Sequence, residues 1–212
     1  MSNHLAVATV TAALRQVVAD AIHDVVQGAL VTHVRPGGAP AQTPAVGVNV
    51  FLYGVTPNAS LRNSDLPTRR ADGGAAARPA AALDLHYLLS FYGDDKALET
   101  QRLLGSVVRG LHARPALSRA LLREVVANTD VLAGSDLADA VETVRFSPVN
   151  LSLEELSKLW SVLFQTQYAL SVAYTGTAVL IEGDEMVRPT LPVAGRNIYV
   201  GVLGGPTLDR VE

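Results

Sequence analysis

The sequence predicts an α+β (mixed α/β) fold in which a central, mostly antiparallel sheet is covered by helices. Three observations carry this expectation. Residues 46–52 and 83–91 alternate apolar and other side chains with a period of two, as strands do. Residues 5–26, 104–111 and 156–163 repeat apolar side chains at spacings of three and four, as amphipathic helices do. Helical and extended patterns also alternate along the chain instead of falling into separate blocks. With 212 residues, 49% hydrophobic and 17% charged, the chain has enough apolar material for one globular core. We expect one domain over residues 1–183 and an extended tail, 184–212, with a short strand at 198–203.

Along the first helix, residues 5–26, Val10, Leu14, Val17, Val18, Ala21, Ile22 and Val25 form the apolar stripe, and Gly28 ends it. Residues 30–34 read as a strand that stops at Pro36-Gly37-Gly38. In the next strand Val46, Val48, Val50 and Leu52 make one aliphatic face. Between residues 54 and 79 the periodicity is lost to turn formers such as Pro57, Asn58, Asn63, Pro67 and Gly73, with Leu61 and Leu66 as apolar anchors. A loop this long inside a compact domain usually has a function, and ordering against another subunit is the expectation.

Leu83, Leu85, Tyr87, Leu89 and Phe91 make a central strand that ends at Gly93-Asp94-Asp95. A helix follows, with Leu104, Val107, Val108 and Leu111 inward, and closes at Arg114-Pro115. Ser118 caps a shorter helix that buries Leu121, Leu122, Val125 and Val126. Residues 141–149 read as extended, and Ser152-Leu153-Glu154-Glu155 is a capping box that opens a helix with Leu156, Leu159, Trp160 and Leu163 inward and its end near Thr166-Gln167. The stretch 168–182 is extended, with a bulge or turn at Gly176. In the tail, residues 198–203 would leave backbone groups unpaired unless they join a sheet edge, in this chain or in another protein.

Composition excludes several functions. The absence of cysteine removes disulfides, thiolate metal sites and a cysteine nucleophile, and suits a chain that folds in the reducing cytoplasm. The first residues lack the basic start of a secretion signal, and no apolar run is long enough to span a bilayer, so no membrane partner is expected. A net charge of −3 argues against a nucleic-acid partner. The arginines 62, 69, 70 and 78 are interspersed with Asp65 and Asp72 and have no aromatic neighbours to stack on bases.

Catalytic readings are weak. Asp84, His86 and Ser90 share a strand face and contain the three residue types of a hydrolase triad. At about 3.3 Å per residue, however, His86 and Ser90 stand about 13 Å apart, too far for proton transfer. Asp94-Asp95 could hold a divalent cation, but acidic residues before a helix also serve as caps against its positive end, and that reading is preferred. No phosphate-binding glycine loop, G-x-S-x-G elbow or H-E-x-x-H motif is present. We expect no enzyme, cofactor or metal.

A specific resemblance supplies the function. Leu61-Arg62-Asn63-Ser64-Asp65-Leu66-Pro67, Arg78-Pro79, Ala82-Leu83-Asp84-Leu85-His86-Tyr87-Leu88-Leu89-Ser90-Phe91-Tyr92-Gly93 and Gln101-Arg102-Leu103-Leu104-Gly105 resemble the tail-terminator, or cap, proteins of extracellular contractile injection systems of the Photorhabdus virulence-cassette and antifeeding-prophage type. Residues 159–166 and 168–174 extend the similarity. The resemblance implies a fold similar to contractile-phage tail terminators. It also implies a homohexameric ring that ends the inner tube and contractile sheath, whose partners are its own copies and the terminal tube and sheath rings. The particle would be released from the cell in some systems. Arg62, Asp65, Arg69 and Arg70 in the long loop, and Ile198, Tyr199 and Val200 in the tail, are the residues expected to touch those partners. A neck, adaptor or other tail-completion protein is the alternative.

Overall fold

The computed structural model describes residues 2–37, 43–61, 79–163 and 166–183. The elements run in the order α1 (Ala6–Ile22), β1 (Leu30–Thr32), β2 (Gly47–Pro57), β3 (Ala80–Tyr92), α2 (Glu99–Ala113), α3 (Arg119–Ala127), β4 (Arg145–Val149), α4 (Leu153–Val162) and β5 (Ser171–Glu182), with short 3-10 turns between α3 and β4. The five strands form one sheet in the order β1-β2-β3-β5-β4. Only the β1–β2 pair is parallel; β2–β3, β3–β5 and β4–β5 are antiparallel, as the fold class requires.

Helices α1, α2 and α3 cover one face. The inward residues of β2 and β3, Val48, Val50, Leu85, Tyr87, Leu89 and Phe91, meet Val10, Leu14 and Val18 of α1 and Leu103, Val107 and Leu111 of α2. All twelve are almost wholly removed from water, and small aliphatic groups dominate as expected. Burying each such side chain contributes about 1.5–3 kcal/mol, so this layer is the main source of stability. Helix α4 lies on the opposite face, where Trp160 and Leu163 pack against Leu88, Ala169, Phe51 and Tyr53.

Several boundaries differ from the sequence reading. Helix α1 ends at Ile22, ahead of Gly28, because the chain tightens into a turn closed by Val25 N–H donating to the Ile22 carbonyl. Strand β2 runs three residues past Gly54, since a bulge at Tyr53 absorbs the break in alternation. The stripe of α2 is rotated: Thr100, Leu103, Val107 and Leu111 face the core, whereas Leu104 is half-buried and Val108 is exposed. Helix α4 stops at Val162, ahead of Thr166, with Leu156 and Leu159 half-buried. Near Gly176, β5 carries a bulge in its pairing with β3, and a Cβ on Gly176 would come within 2.9 Å of the Phe146 ring.

The acidic pair does not cap α2. Its N-cap is Leu98, in a left-handed conformation without a side-chain cap. Asp94 instead accepts from Lys96 N–H at 2.9 Å, and Glu99 folds back to accept from Asp94 N–H at 2.8 Å, so the carboxylates close the turn one step earlier. The other two caps hold. Ser118 accepts from Leu121 N–H at 3.2 Å, and Ser152 and Glu155 form the full capping box. The Ser152 backbone amide first, and its hydroxyl second, hold the Glu155 carboxyl below its ordinary value of 4.5. A lowered folded-state value means that this stabilisation is present above pH 4.5 and is lost as pH falls through the folded value. Ser152→Ala should cost about 1 kcal/mol, and the wild-type α4 should lose amide-exchange protection on acidification before α1 and β3 do.

Candidate assembly surface

The predicted contact residues Arg62, Asp65, Arg69, Arg70, Ile198, Tyr199 and Val200 lie outside the described residues, as does the tail from 184 onward. The structure does place the points from which these segments leave. Asn58 anchors the start of the loop: its side-chain oxygen accepts from Ser60 and Leu61 N–H, both at 3.0 Å, and its amide donates to Asp84 at 2.8 Å. At the loop's return, Pro79 accepts from Gly183 N–H at 2.9 Å. Loop and tail therefore leave the sheet from the same end, joined at their roots by one hydrogen bond. The chain's own start is tied nearby, where Ser2 bridges Ile181 of β5.

The triad candidates do not assemble. His86 is held between the hydroxyls of Thr56, at 2.8 Å, and Thr175, at 3.0 Å, which occupies both ring nitrogens and links β2, β3 and β5. Asp84 is engaged by Asn58, not by His86. Ser90 is fully buried, and its hydroxyl has no hydrogen-bond partner among the described residues. What this arrangement does chemically is cross-link three strands. No group of three metal-ligating side chains occurs among the described residues. No helix among them is long and apolar enough to cross a membrane.

Two features of the surface suit binding. A cleft of about 460 Å³ opens between α2, β4 and α4, lined by Val108, His112, Phe146, Pro148, Leu156 and Tyr174. Around α4, Leu153, Val162 and Tyr168 are 84%, 71% and 62% exposed, more apolar surface than a solvated helix needs. The ion pairs Arg123–Asp139 and Glu154–Lys158 are solvent-exposed and contribute little.

The Pvc16 N-terminal domain family model matches residues 9–195, most of the chain. The chain belongs to this family. Its fold is shared with the sheath/tube terminator of an extracellular contractile injection system, called PVC, in the extended state. The TM-score is 0.55 at 14% identity, covering 93% of this chain and 64% of that one. It is likewise shared with the anti-feeding prophage cap, a tube-terminating cap, with a TM-score of 0.57 at 16% identity, covering 90% of this chain and 60% of that one. The chain thus spans a little under two thirds of the length of these structures. No curated protein matches it. Both matched structures are named for closing a tube and not for a reaction, and the recognition from residues 61–105 agrees with them.

Proposed function

We propose that this chain is the terminator domain that ends the inner tube and sheath of a contractile injection system, acting by binding and not by catalysis. The observation that supports this most is that nearly the whole chain, 93% of it, follows the fold of a sheath/tube terminator. Membership of the Pvc16 N-terminal domain family supports it independently. In this reading the chain forms a homohexameric ring, since one heterologous contact repeated around an axis closes a ring and can match a tube of the same symmetry. The ring faces the last tube and sheath subunits. The segments 62–78 and 184–212 reach neighbouring copies of the chain or these rings from the end of the sheet where Pro79 and Gly183 meet. Assembly takes place in the bacterial cytoplasm, and the finished particle acts outside the cell.

Electron microscopy of particles from cells lacking this chain tests the proposal. Overlong or uncapped tubes are expected, and particles of normal length with closed ends would refute it. A neck or adaptor role would instead leave tube length unchanged and remove whatever docks beyond the tube.

A further inference from the structure

The sheet has one edge that the described residues leave open. Strand β1 pairs with β2 only at Gly47, Val48 and Asn49. Just past that point the edge is still covered: the Asn49 side chain accepts from Val34 N–H at 3.0 Å and donates to the Val34 carbonyl at 2.9 Å, and Val50 is fully buried. From Leu52 onward, no backbone group on the outer side of β2 is hydrogen-bonded among the described residues. Leu30 N–H donates to the Val46 carbonyl, so by alternation the peptide groups of Val50 and Leu52 point outward. The Tyr53 bulge then shifts the phase, and Asn58 N–H donates inward to Ala82, which turns Val55 outward. Pro57 closes the open stretch, in a position where its missing N–H costs the sheet nothing.

Proteins usually protect such an edge with charge. Here no charged side chain occurs from residue 43 to residue 61, and Val55 is 46% exposed. The opposite edge of the sheet is protected: Pro148 lacks a donor on β4, Phe146 N–H donates to Pro115, and Ser2 covers the end of β5. An uncharged, unpaired strand edge is an acceptor for an added strand.

We infer that the outer edge of β2, over residues 52–55, accepts the strand 198–203 of a second copy of this chain. That segment, Ile198-Tyr199-Val200-Gly201-Val202-Leu203, is equally uncharged and long enough to span the open stretch. A neighbouring copy, and not the same chain, is indicated by the topology. The tail leaves from the end of β5, with β3 between it and β2. The connection from β2 to β3 leaves from the same end, and connections at one end of a sheet do not cross. Donation from each copy to the next is a heterologous contact of the kind that builds a ring. The inference rests on the reading of 198–203 as a strand, so it can fail while the terminator proposal stands.

The absence of cysteine allows a clean test. Val55→Cys is made in a tagged chain, and Ile198→Cys, Tyr199→Cys and Val200→Cys separately in untagged chains; folding of each is checked by circular dichroism. Paired residues on adjacent strands lie within disulfide reach. When tagged and untagged chains are mixed and oxidised, at least one mixture is expected to give a tagged–untagged dimer as its main covalent product, reversed by reductant. No mixed dimer in any of the three mixtures would overturn the inference. So would a Val55→Cys/Val200→Cys double variant whose disulfide forms only within single chains.

Discussion

A Tyr87→Ala variant is expected to lose about 4 kcal/mol of stability, a large share of the ~5–15 kcal/mol that holds a domain of this size together. Tyr87 sits near the middle of the central strand β3 and is among the largest fully buried side chains. Its ring meets Phe146 edge-on at a centroid distance of 5.9 Å, which joins the centre of the sheet to the edge strand β4. Removing it leaves a cavity under α1 that backbone strands on both sides prevent from collapsing. The hydroxyl is a separate contribution. It lies 2.8 Å from the Thr11 hydroxyl on α1, and burial raises its pKa well above the ordinary 10, so it stays protonated across the working range. Tyr87→Phe keeps the ring and leaves Thr11 its bond to the Val7 carbonyl, so it should cost only about 1 kcal/mol. Chemical denaturation of the two variants separates packing from hydrogen bonding; equal losses would show that the ring contributes little.

Gly47 is the second sensitive position. It has φ +141°, a conformation L side chains rarely adopt, and it faces Leu30 across the parallel β1–β2 contact. A Cβ there would overlap the Leu30 carbonyl oxygen and lie 2.7 Å from the Leu30 nitrogen, and backbone cannot step aside as a side-chain tip can. Gly47→Ala should therefore cost about 3 kcal/mol through strain and loss of β1 pairing. Gly54, in the same strand, has no positive φ, and its nearest neighbours are His86 side-chain atoms at 3.7 Å or more. Gly54→Ala should change stability by less than about 1 kcal/mol, so comparing the two melting temperatures tests whether close approach to β1, and not glycine content, sets the effect.

Much of this architecture is legible in the residues. The alternation through Val48 and Val50 and through Leu85, Tyr87 and Leu89 marks the inward faces of β2 and β3 correctly, because a side-chain period of two admits only one register with apolar groups inside. Ser118 and the Ser152–Glu155 pair announce their helices because a cap is a local hydrogen bond. What escapes is non-local. Nothing in the residues 30–32 says that they pair in parallel with 47–49, or that Ser2 bridges Ile181 far along the chain. Asp94 and Asp95 mislead for a related reason: a carboxylate can satisfy an amide in the preceding turn as well as in the helix, and geometry alone decides. His86 is legible as structural on spacing, but its two threonine partners come from strands that only the folded sheet brings together. The open edge of β2 is likewise invisible until the strand order is known.

The most direct test of the terminator reading is to locate the chain on the particle. Cryo-electron microscopy of intact particles carrying a labelled copy should show it at one end of the tube, as a ring of six copies in contact with the last tube and sheath rings. Labelling spread along the shaft, at the baseplate end, or absent from purified particles would contradict it.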